Sequence, residues 1–324
     1  MANKISFFAL ILAAALCLIN CAFVTIPLFP STQNLQEQIV EGEGNDKILL
    51  LDISGVISER EDSGLLSQQS TSIIEDIKEA LKKAQDDDAI KGIVVKINSP
   101  GGTITGSDIL HHELKRFKNE KKIMIVACLM DVGTSGGYYV ATAADEIMAH
   151  PTTITGSIAV IALKFNVKGL LNLVGVKDET IKSGEMKDIW SPFRPSTDKE
   201  RAIMQAVIDK FHSRFVDVIK EGRKDLSRQE IEKLADGRIF TADEALEAKL
   251  IDRIGYLDDA FDEMKKSLGI PRATVITYGR PGTFKGTIYS RTSPTAPQTF
   301  NFISLNRGDL IQSLNFHFMY LWLP

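Results

Sequence analysis

The chain has 324 residues, with 38 Lys and Arg against 42 Asp and Glu, which gives a formal net charge of −4. Hydrophobic residues make up 44% and charged residues 25% of the sequence, which supports a full hydrophobic core and excludes a disordered or fibrous chain. The acidic excess excludes a general nucleic-acid binder, because such proteins carry surplus basic residues that neutralise phosphates. With three cysteines in all, the fold is expected to hold without a disulfide framework.

The first 30 residues are interpreted as a membrane anchor or signal segment. Residues 5–29 contain no charged side chain, and a helix of about 25 residues at about 1.5 Å each crosses a hydrocarbon core of about 30 Å. Lys4 precedes the run and acidic residues follow it, so the positive-inside rule predicts a single-pass anchor with the body of the protein outside the cytoplasm. Cleavage after a small residue and lipid attachment at Cys21 are the alternatives.

The rest of the chain divides into three parts. Residues 31–45 are polar and are predicted to form a linker between the membrane and the folded body. Residues 46–270 carry the regular pattern of buried strands and helices, and predict a single α/β domain. Residues 271–324 form a C-terminal extension with an apolar, aromatic tail over 300–324. Four alternatives are left for this tail: it lies on the membrane, packs between subunits, occupies the groove as an inhibitor, or is a plain packing element.

Alternating apolar runs and amphipathic segments predict a parallel sheet built from βαβ units. Continuous apolar runs, typical of buried strands, occupy residues 47–55, 92–97 and 123–129. Helices with apolar residues at helical spacing are predicted between them, over about 73–84 and 109–117. The later elements are strands at 146–150 and 155–163, a long helix over about 197–221, and two helices that begin with capping boxes at Ser227 and Thr241.

Two glycine-rich turns follow two of the predicted strands. The first is residues 98–102 (NSPGG) and the second is residues 133–137 (GTSGG). Such turns leave backbone N–H groups free to point into a cleft, as an oxyanion hole requires. Ser135 lies in the second turn, at a strand-to-helix junction of the kind that exposes a nucleophile. The alternative for Ser135 is a helix N-cap, because serine is common at that position.

A serine nucleophile needs a base, and the sequence favours a lysine. None of the five histidines has an acidic partner in a recognisable motif, so the histidines are assigned to surface or structural roles. A lysine serves as a base where burial or neighbouring charges favour its neutral form. Residues 181–192 offer Lys182 and Lys187, of which Lys187 lies beside apolar residues. Spacing alone does not decide between the two lysines.

Six motifs follow one another in a recognisable order. They are residues 98–102 (NSPGG), 135–139 (SGGYY), 155–157 (TGS), 182–189 (KSGEMKDI), 236–238 (DGR) and 250–252 (LID). In this order they resemble the bacterial signal peptide peptidase A family of Ser/Lys proteases, peptidase family S49, in its short single-domain form. The resemblance covers about residues 46–268.

The resemblance implies a role for each matching residue. Ser135 matches the nucleophile and Lys187 matches the general base. Ser157 matches the hydroxyl that orients the lysine by a hydrogen bond. The backbone N–H groups of Gly102 and Gly136 match the oxyanion hole. The implied enzyme is a serine endopeptidase with a Ser/Lys dyad.

The resemblance also implies a fold, an assembly and a substrate. The fold is α/β, of the crotonase and Clp-protease type, a spiral of ββα units. Family members form homo-oligomeric rings, octameric in the short form, in which neighbouring subunits contribute the base and the nucleophile of one site. The implied substrates are remnant signal peptides in the bacterial cytoplasmic (inner) membrane and other apolar peptides. No cofactor, metal ion or nucleic acid is expected, because no motif for one is present.

Three other functions are compatible with the same glycine turns. An acyl-CoA enzyme of the crotonase type shares such turns but needs no serine nucleophile, so Ser135, Lys187 and the N-terminal segment weigh against it. A membrane-tethered scaffold that has lost the reaction is excluded only if Ser135 and Lys187 are neighbours in space. A Ser/Lys protease acting on stomatin-like membrane proteins would differ in substrate and not in mechanism.

Overall fold

Apolar runs fold into the strands, and amphipathic segments into the helices, of a mixed α/β domain. The computed structural model describes residues 35–59, 72–280, 286–290 and 318–323. Its strands are β1 (Gln36–Gly42), β2 (Lys47–Ser54), β3 (Ile90–Ser99), β4 (Gly101–Thr103), β5 (Met124–Thr134), β6 (Glu146–Ala149), β7 (Ile154–Gly156), β8 (Ile161–Ala162), β9 (Ile239–Thr241), β10 (Arg253–Ile254), β11 (Thr274–Gly279) and β12 (Phe318–Leu321). Its helices are α1 (Ile73–Gln85), α2 (Ile104–Lys121), α3 (Gly136–Ala141), α4 (Lys168–Leu173), α5 (Asp198–Gly222), α6 (Arg228–Leu234), α7 (Ala242–Glu247) and α8 (Leu257–Leu268), with a 3₁₀ helix at Glu185–Asp188.

The predicted parallel strands form the centre of a nine-stranded sheet. Its order is β1-β11-β2-β3-β5-β6-β10, and β7 joins the end of β5 and pairs in turn with β9. Strands β2, β3, β5 and β6 are parallel neighbours, as the βαβ pattern predicts. A second sheet has three strands in the order β4-β12-β8, and both of its pairings are antiparallel.

The core lies on both faces of the large sheet. Alternate side chains of β2 point to opposite faces, so Leu49 and Leu51 pack with helices α1 and α2 while Ile48 and Leu50 pack with α8. Because both faces are covered, the central strands are continuous apolar runs. Cys128 is a free, buried thiol in β5, and burial raises its pKa to about 12.

Helix boundaries follow the capping signals in the sequence. The side chain of Thr197 caps α5, where Glu200 completes a capping box. The predicted boxes at Ser227 and Thr241 also form, at the starts of α6 and α7. Each box satisfies backbone N–H groups that have no partner within the helix, and the predicted starts of these helices are confirmed.

Two predicted domain boundaries need correction. Residues 36–42 of the predicted linker form β1, which pairs antiparallel with β11. The predicted end of the domain at residue 270 is also too early, because β11 lies inside the large sheet, between β1 and β2. The side chains of β1 are mostly exposed at the sheet edge, so this strand lacks the apolar run that marks the buried ones.

The predicted membrane segment at residues 5–29 lies outside the described residues. Within the described ranges, no helix combines the length and apolar character needed to cross a bilayer.

A buried ion pair between Lys96 and Asp52 also binds residues 286–290 of the C-terminal extension to the sheet. The ammonium of Lys96 on β3 lies 3.6 Å from the carboxylate of Asp52 on β2, and both side chains are almost fully buried. The same ammonium donates hydrogen bonds to the carbonyl oxygens of Ile288 and Ser290, at 3.3 and 2.7 Å. Lys96 therefore neutralises Asp52 and holds residues 286–290 at the same time.

We expect Lys96→Met to lower the free energy of unfolding by about 3 kcal/mol, because it removes the ammonium that pairs with the buried Asp52 carboxylate. Chemical denaturation monitored by circular dichroism measures the change. The double variant Asp52→Asn/Lys96→Met, which removes both charges, should recover much of this loss. A Lys96→Met protein as stable as wild type would contradict this account of the pair.

Candidate active site

Ser135 lies at a sharp turn between a strand and a helix. Strand β5 ends at Thr134 and helix α3 begins at Gly136, and Ser135 between them has φ 53° and ψ −116°. A side chain at positive φ is strained, and such residues persist where the surrounding structure holds them. The N–H of Ser135 donates to the carbonyl oxygen of Gly156 at 2.7 Å. This bond fixes the turn to the neighbouring strand.

The hydroxyl of Ser135 does not cap the helix. It makes no capping hydrogen bond to α3, so the helix-cap interpretation is wrong. Within the described residues the Ser135 hydroxyl is buried and has no hydrogen-bond partner. Buried polar groups are rarely left unsatisfied unless they have a catalytic or a similarly special role.

The two glycine turns meet directly beside this serine. A Cβ atom on Gly136 would lie 3.1 Å from the amide nitrogen of Gly102 and 2.3 Å from the hydroxyl of Ser107. Gly101 has φ 102°, and a Cβ atom there would lie 2.7 Å from the amide nitrogen of Gly136. Only glycine permits these approaches. The structure therefore brings together the backbone of Gly102 and Gly136, the two predicted oxyanion residues.

Ser157 lies next to Ser135 across a strand pairing. Strand β7 pairs in parallel with the end of β5, and Gly156 stands opposite Thr134. Ser135 and Ser157 are the residues that directly follow this pair. Ser157 is also buried and has positive φ, at 51°, and its N–H donates to the carbonyl oxygen of Arg238. The predicted Ser157 hydroxyl is thus one strand away from the predicted nucleophile.

Lys187 lies on an exposed arm, residues 163–196, which we call the lysine arm. No hydrogen bond or ion pair of its ammonium is recorded among the described residues, and its side chain is exposed. Lys182 differs, because its ammonium pairs with Asp188 at 2.5 Å and donates to the Glu185 carbonyl oxygen. In this structure the Lys182 ammonium is therefore paired, whereas the Lys187 ammonium has no partner among the described residues.

A further lysine of the arm, Lys164, is held in place by polar contacts. Its ammonium donates to the Ser196 hydroxyl at 2.5 Å and lies 5.4 Å from the ring of Trp190. Burial lowers the pKa of Lys164. Its hydrogen bonds to the Arg194 carbonyl oxygen and the Ser196 hydroxyl join the two ends of the arm, and it forms no hydrogen bond with the Ser135 hydroxyl.

One arginine holds the segment that carries Lys187. Arg194 donates two hydrogen bonds to the Asp188 carboxylate, at 2.7 and 2.8 Å, and also pairs with Glu200. The guanidinium lowers the pKa of Glu200 to about 2 and, together with Lys182, holds the pKa of Asp188 well below its usual range. Both carboxylates are therefore ionised at neutral pH. Arg194 ties the 3₁₀ helix to the start of α5.

Within the described residues of one chain, neither Lys182 nor Lys187 is bonded to Ser135. The Ser135 hydroxyl has no hydrogen-bond partner there, so neither a lysine nor a histidine forms a hydrogen bond with it. His111 is the buried histidine closest in sequence to the turn. It packs edge-on against Tyr139 with ring centroids 5.3 Å apart, and burial lowers its pKa to about 4.

Sequence reasoning missed the residues that position the lysine arm. Arg194, Asp188 and Glu200 are spaced six residues apart along the chain, which does not place them on one face of a helix, and none of them lies in a strand. They become neighbours only because the arm turns back on itself. One sequence signal pointed to Glu200. It completes the capping box with Thr197 and so fixes where α5 begins.

An unpartnered serine hydroxyl beside converging glycine N–H groups is the arrangement used for covalent acyl transfer by serine hydrolases. The comparisons agree with this class. The model of peptidase family S49 matches residues 116–270. A protein of Enterococcus faecium that carries the provisional name signal peptide peptidase SppA is 38% identical over 250 residues, which are 77% of this chain and 72% of that protein.

The chain belongs to peptidase family S49 and is a serine protease. Protease 4 of Haemophilus influenzae is 28% identical over 231 residues, which are 71% of this chain but 36% of that longer protein. Among solved structures, a ClpP1 mutant from Listeria monocytogenes matches 65% of this chain and 92% of its own, with a TM-score of 0.42 and 17% identity.

We expect Arg194→Ala to loosen the 3₁₀ helix that carries Lys187. Amide hydrogen exchange of residues 184–191, measured by mass spectrometry, should become about 10-fold faster, because a charge-assisted bidentate contact is lost. Arg201→Ala is the matched control, since Arg201 is an exposed arginine that donates to the Ser196 carbonyl oxygen and pairs with Asp198, both outside residues 184–191. Equal exchange in both variants would show that Arg194 does not position the arm.

Proposed function

We propose that the chain is an endopeptidase with a Ser/Lys dyad, in which Ser135 is the nucleophile and Lys187 the general base. The observation that carries the proposal is the buried, unpartnered hydroxyl of Ser135 beside the N–H groups of Gly102 and Gly136. Lys187 is favoured over Lys182 because Lys182 is already bound by Asp188. Membership of a peptidase family favours peptides over acyl-CoA thioesters as substrates.

The proposed reaction is a two-step acyl transfer. Neutral Lys187 takes the proton of Ser135, and the serine oxygen attacks the peptide carbonyl carbon. The N–H groups of Gly102 and Gly136 stabilise the oxyanion, and the protonated lysine gives its proton to the leaving amine. Water then hydrolyses the acyl-serine ester. Ser157, one strand away from Ser135, orients the lysine by a hydrogen bond.

We propose that the base reaches the serine from a neighbouring copy of the chain. The lysine arm exposes a series of large apolar side chains, and helix α4 has no buried residue. The exposed residues are Phe165, Leu170, Leu173, Val174, Val176 and Ile181, of which Ile181 is 99% exposed. Apolar surface of this kind marks an interaction site. A ring of copies, octameric as in the short family members, would cover it and complete each site.

The proposed substrates are remnant signal peptides and other apolar peptides at the bacterial inner membrane. Support comes from the name of the Enterococcus relative and from the apolar run over residues 5–29, which would anchor the protease domain beside such peptides. The domain itself is proposed to be of the Clp-protease and crotonase type, in agreement with the strand-turn-helix position of Ser135.

We expect Ser135→Ala and Lys187→Ala each to reduce peptide cleavage by about 10³-fold or more, since each removes one member of a unit that acts together. Lys182→Ala is the matched control and should retain most of the activity. A lysine accepts a proton only in its neutral form, so wild-type activity should rise toward alkaline pH. Loss of activity in Lys182→Ala with retention in Lys187→Ala would assign the base to the other lysine.

A mixture of two inactive variants tests whether the site is shared between copies. Ser135→Ala and Lys187→Ala chains, unfolded together and reassembled in equal amounts, should recover about a quarter of the wild-type rate, because random neighbours pair an intact serine with an intact lysine in about that fraction of sites. The separately reassembled variants are the controls. No recovery in mixed assemblies of native size would show that both residues come from one chain.

A further inference from the structure

Strand β5 contains a bulge just before the turn that carries Ser135. Residues 130–132 of β5 stand opposite the single residue Asn98 of β3, so β5 has two residues more than its partner at this point. Bulges bend a strand and often lie next to active sites, where they re-aim a side chain. The pairs on either side of the bulge are Ile97 with Leu129 and Ser99 with Gly133.

The bulge sets the level at which the two glycine turns meet. Before it, paired residues of β3 and β5 differ by 32 in residue number, and after it they differ by 34. The second offset, continued into the turns, places Gly102 opposite Gly136. The contacts agree, because a Cβ atom on Gly136 would lie 3.1 Å from the Gly102 amide nitrogen. The first offset would place Gly102 opposite Thr134, about 7 Å further back along the chain.

The side chain of Asn98 holds the bulge from the β3 side. Its Oδ1 atom accepts a hydrogen bond from the backbone N–H of Val132 at 3.1 Å. The ladder between β3 and β5 is interrupted here, so a side-chain oxygen satisfies this N–H in place of a backbone carbonyl. The backbone of Asn98 is itself fixed, because its carbonyl oxygen accepts from the Gly55 N–H at 2.9 Å. Asn98 therefore joins the first glycine turn to the bulge.

Two threonines at strand β7 hold the bulge from the other side. The Thr153 hydroxyl is shared between the carbonyl oxygens of Leu129, at 3.0 Å, and Met130. The Thr155 hydroxyl donates to the carbonyl oxygen of Gly133 at 2.7 Å. Both threonines are buried, where a hydrogen bond is stronger than in water. Side chains thus bind the bulge from both neighbouring strands.

We propose that Asn98 and Thr155 are positioning residues for the reaction: they fix the β5 bulge and so hold Ser135 level with the first glycine turn. This inference rests on the proposed protease function of the same site. The two side chains act through the backbone of β5, at Val132 and Gly133. A misplacement of the reacting group by about 1 Å costs about 100-fold in rate. Loss of one of these hydrogen bonds therefore affects catalysis more than folding.

Steady-state kinetics of the full chain with one apolar peptide test the assignment. Asn98→Ala removes the acceptor and should lower kcat by about 100-fold while KM changes by less than about 3-fold, because the position of the nucleophile and not the binding of the peptide is altered. Asn98→Asp keeps an oxygen at the same place and should retain kcat within about 5-fold of wild type. Asn119→Ala, which changes an exposed asparagine of α2, is the matched control.

Two results of these kinetics would overturn the inference. One is a wild-type kcat in Asn98→Ala. The other is a loss in Asn98→Asp as large as the loss in Asn98→Ala, because a residue that acts through its acceptor oxygen is rescued by the variant that keeps this oxygen.

The threonine gives a second test that does not depend on the folding of Asn98→Ala. Thr155→Val keeps the shape of the side chain and removes its hydroxyl, and should lower kcat by about 10-fold with KM unchanged. Thr155→Ser keeps the hydroxyl and should retain most of the wild-type kcat. Equal kcat values in the valine and serine variants would contradict the inference.

Amide hydrogen exchange separates this inference from the protease proposal. Exchange of residues 130–136, measured by mass spectrometry, should be about 10-fold faster in Asn98→Ala than in wild type, because one hydrogen bond of the bulge is lost. Asn98→Asp and Asn119→Ala should exchange as wild type does. Faster exchange in a protein whose wild type cleaves no peptide would contradict the protease proposal and support the role of Asn98 in the bulge. Unchanged exchange in Asn98→Ala, with an active wild type, would contradict the inference alone.

Discussion

The backbone at Ser135 is the constraint on which the site depends. A residue with a side chain is held at φ 53°, a conformation that costs about 1–3 kcal/mol unless the surrounding structure enforces it. Two hydrogen bonds enforce it here. The Ser135 N–H donates to Gly156 in the neighbouring strand, and the Ser135 carbonyl oxygen accepts from the Tyr139 N–H in the helix. Because both elements are buried in the core, the turn cannot relax without unpairing one of them.

The close approach of the glycine backbones follows from this turn. With helix α3 starting at Gly136, the Gly136 backbone packs closely against the strand that carries Gly101 and Gly102, and any side chain there would collide with backbone or with Ser107. The proposed nucleophile and the proposed oxyanion donors thus belong to the rigid core. Lys187 belongs to an exposed arm held by one ion-pair network around Arg194. The proposed site, divided in this way, would be assembled only when the arm binds a partner surface.

Much of the fold was predictable from the sequence, because its central strands are buried on both faces and leave continuous apolar runs. The capped helices were predictable for a similarly local reason. Strand β1 was not, since an exposed edge strand carries no apolar signal, and β11 was not, because its partner β2 lies more than 200 residues away in the chain. At the site, Ser135 and the glycine turns were visible in local motifs. Arg194 was not, because its partners Asp188 and Glu200 lie six residues away on either side, a spacing that does not place them on one face of a helix.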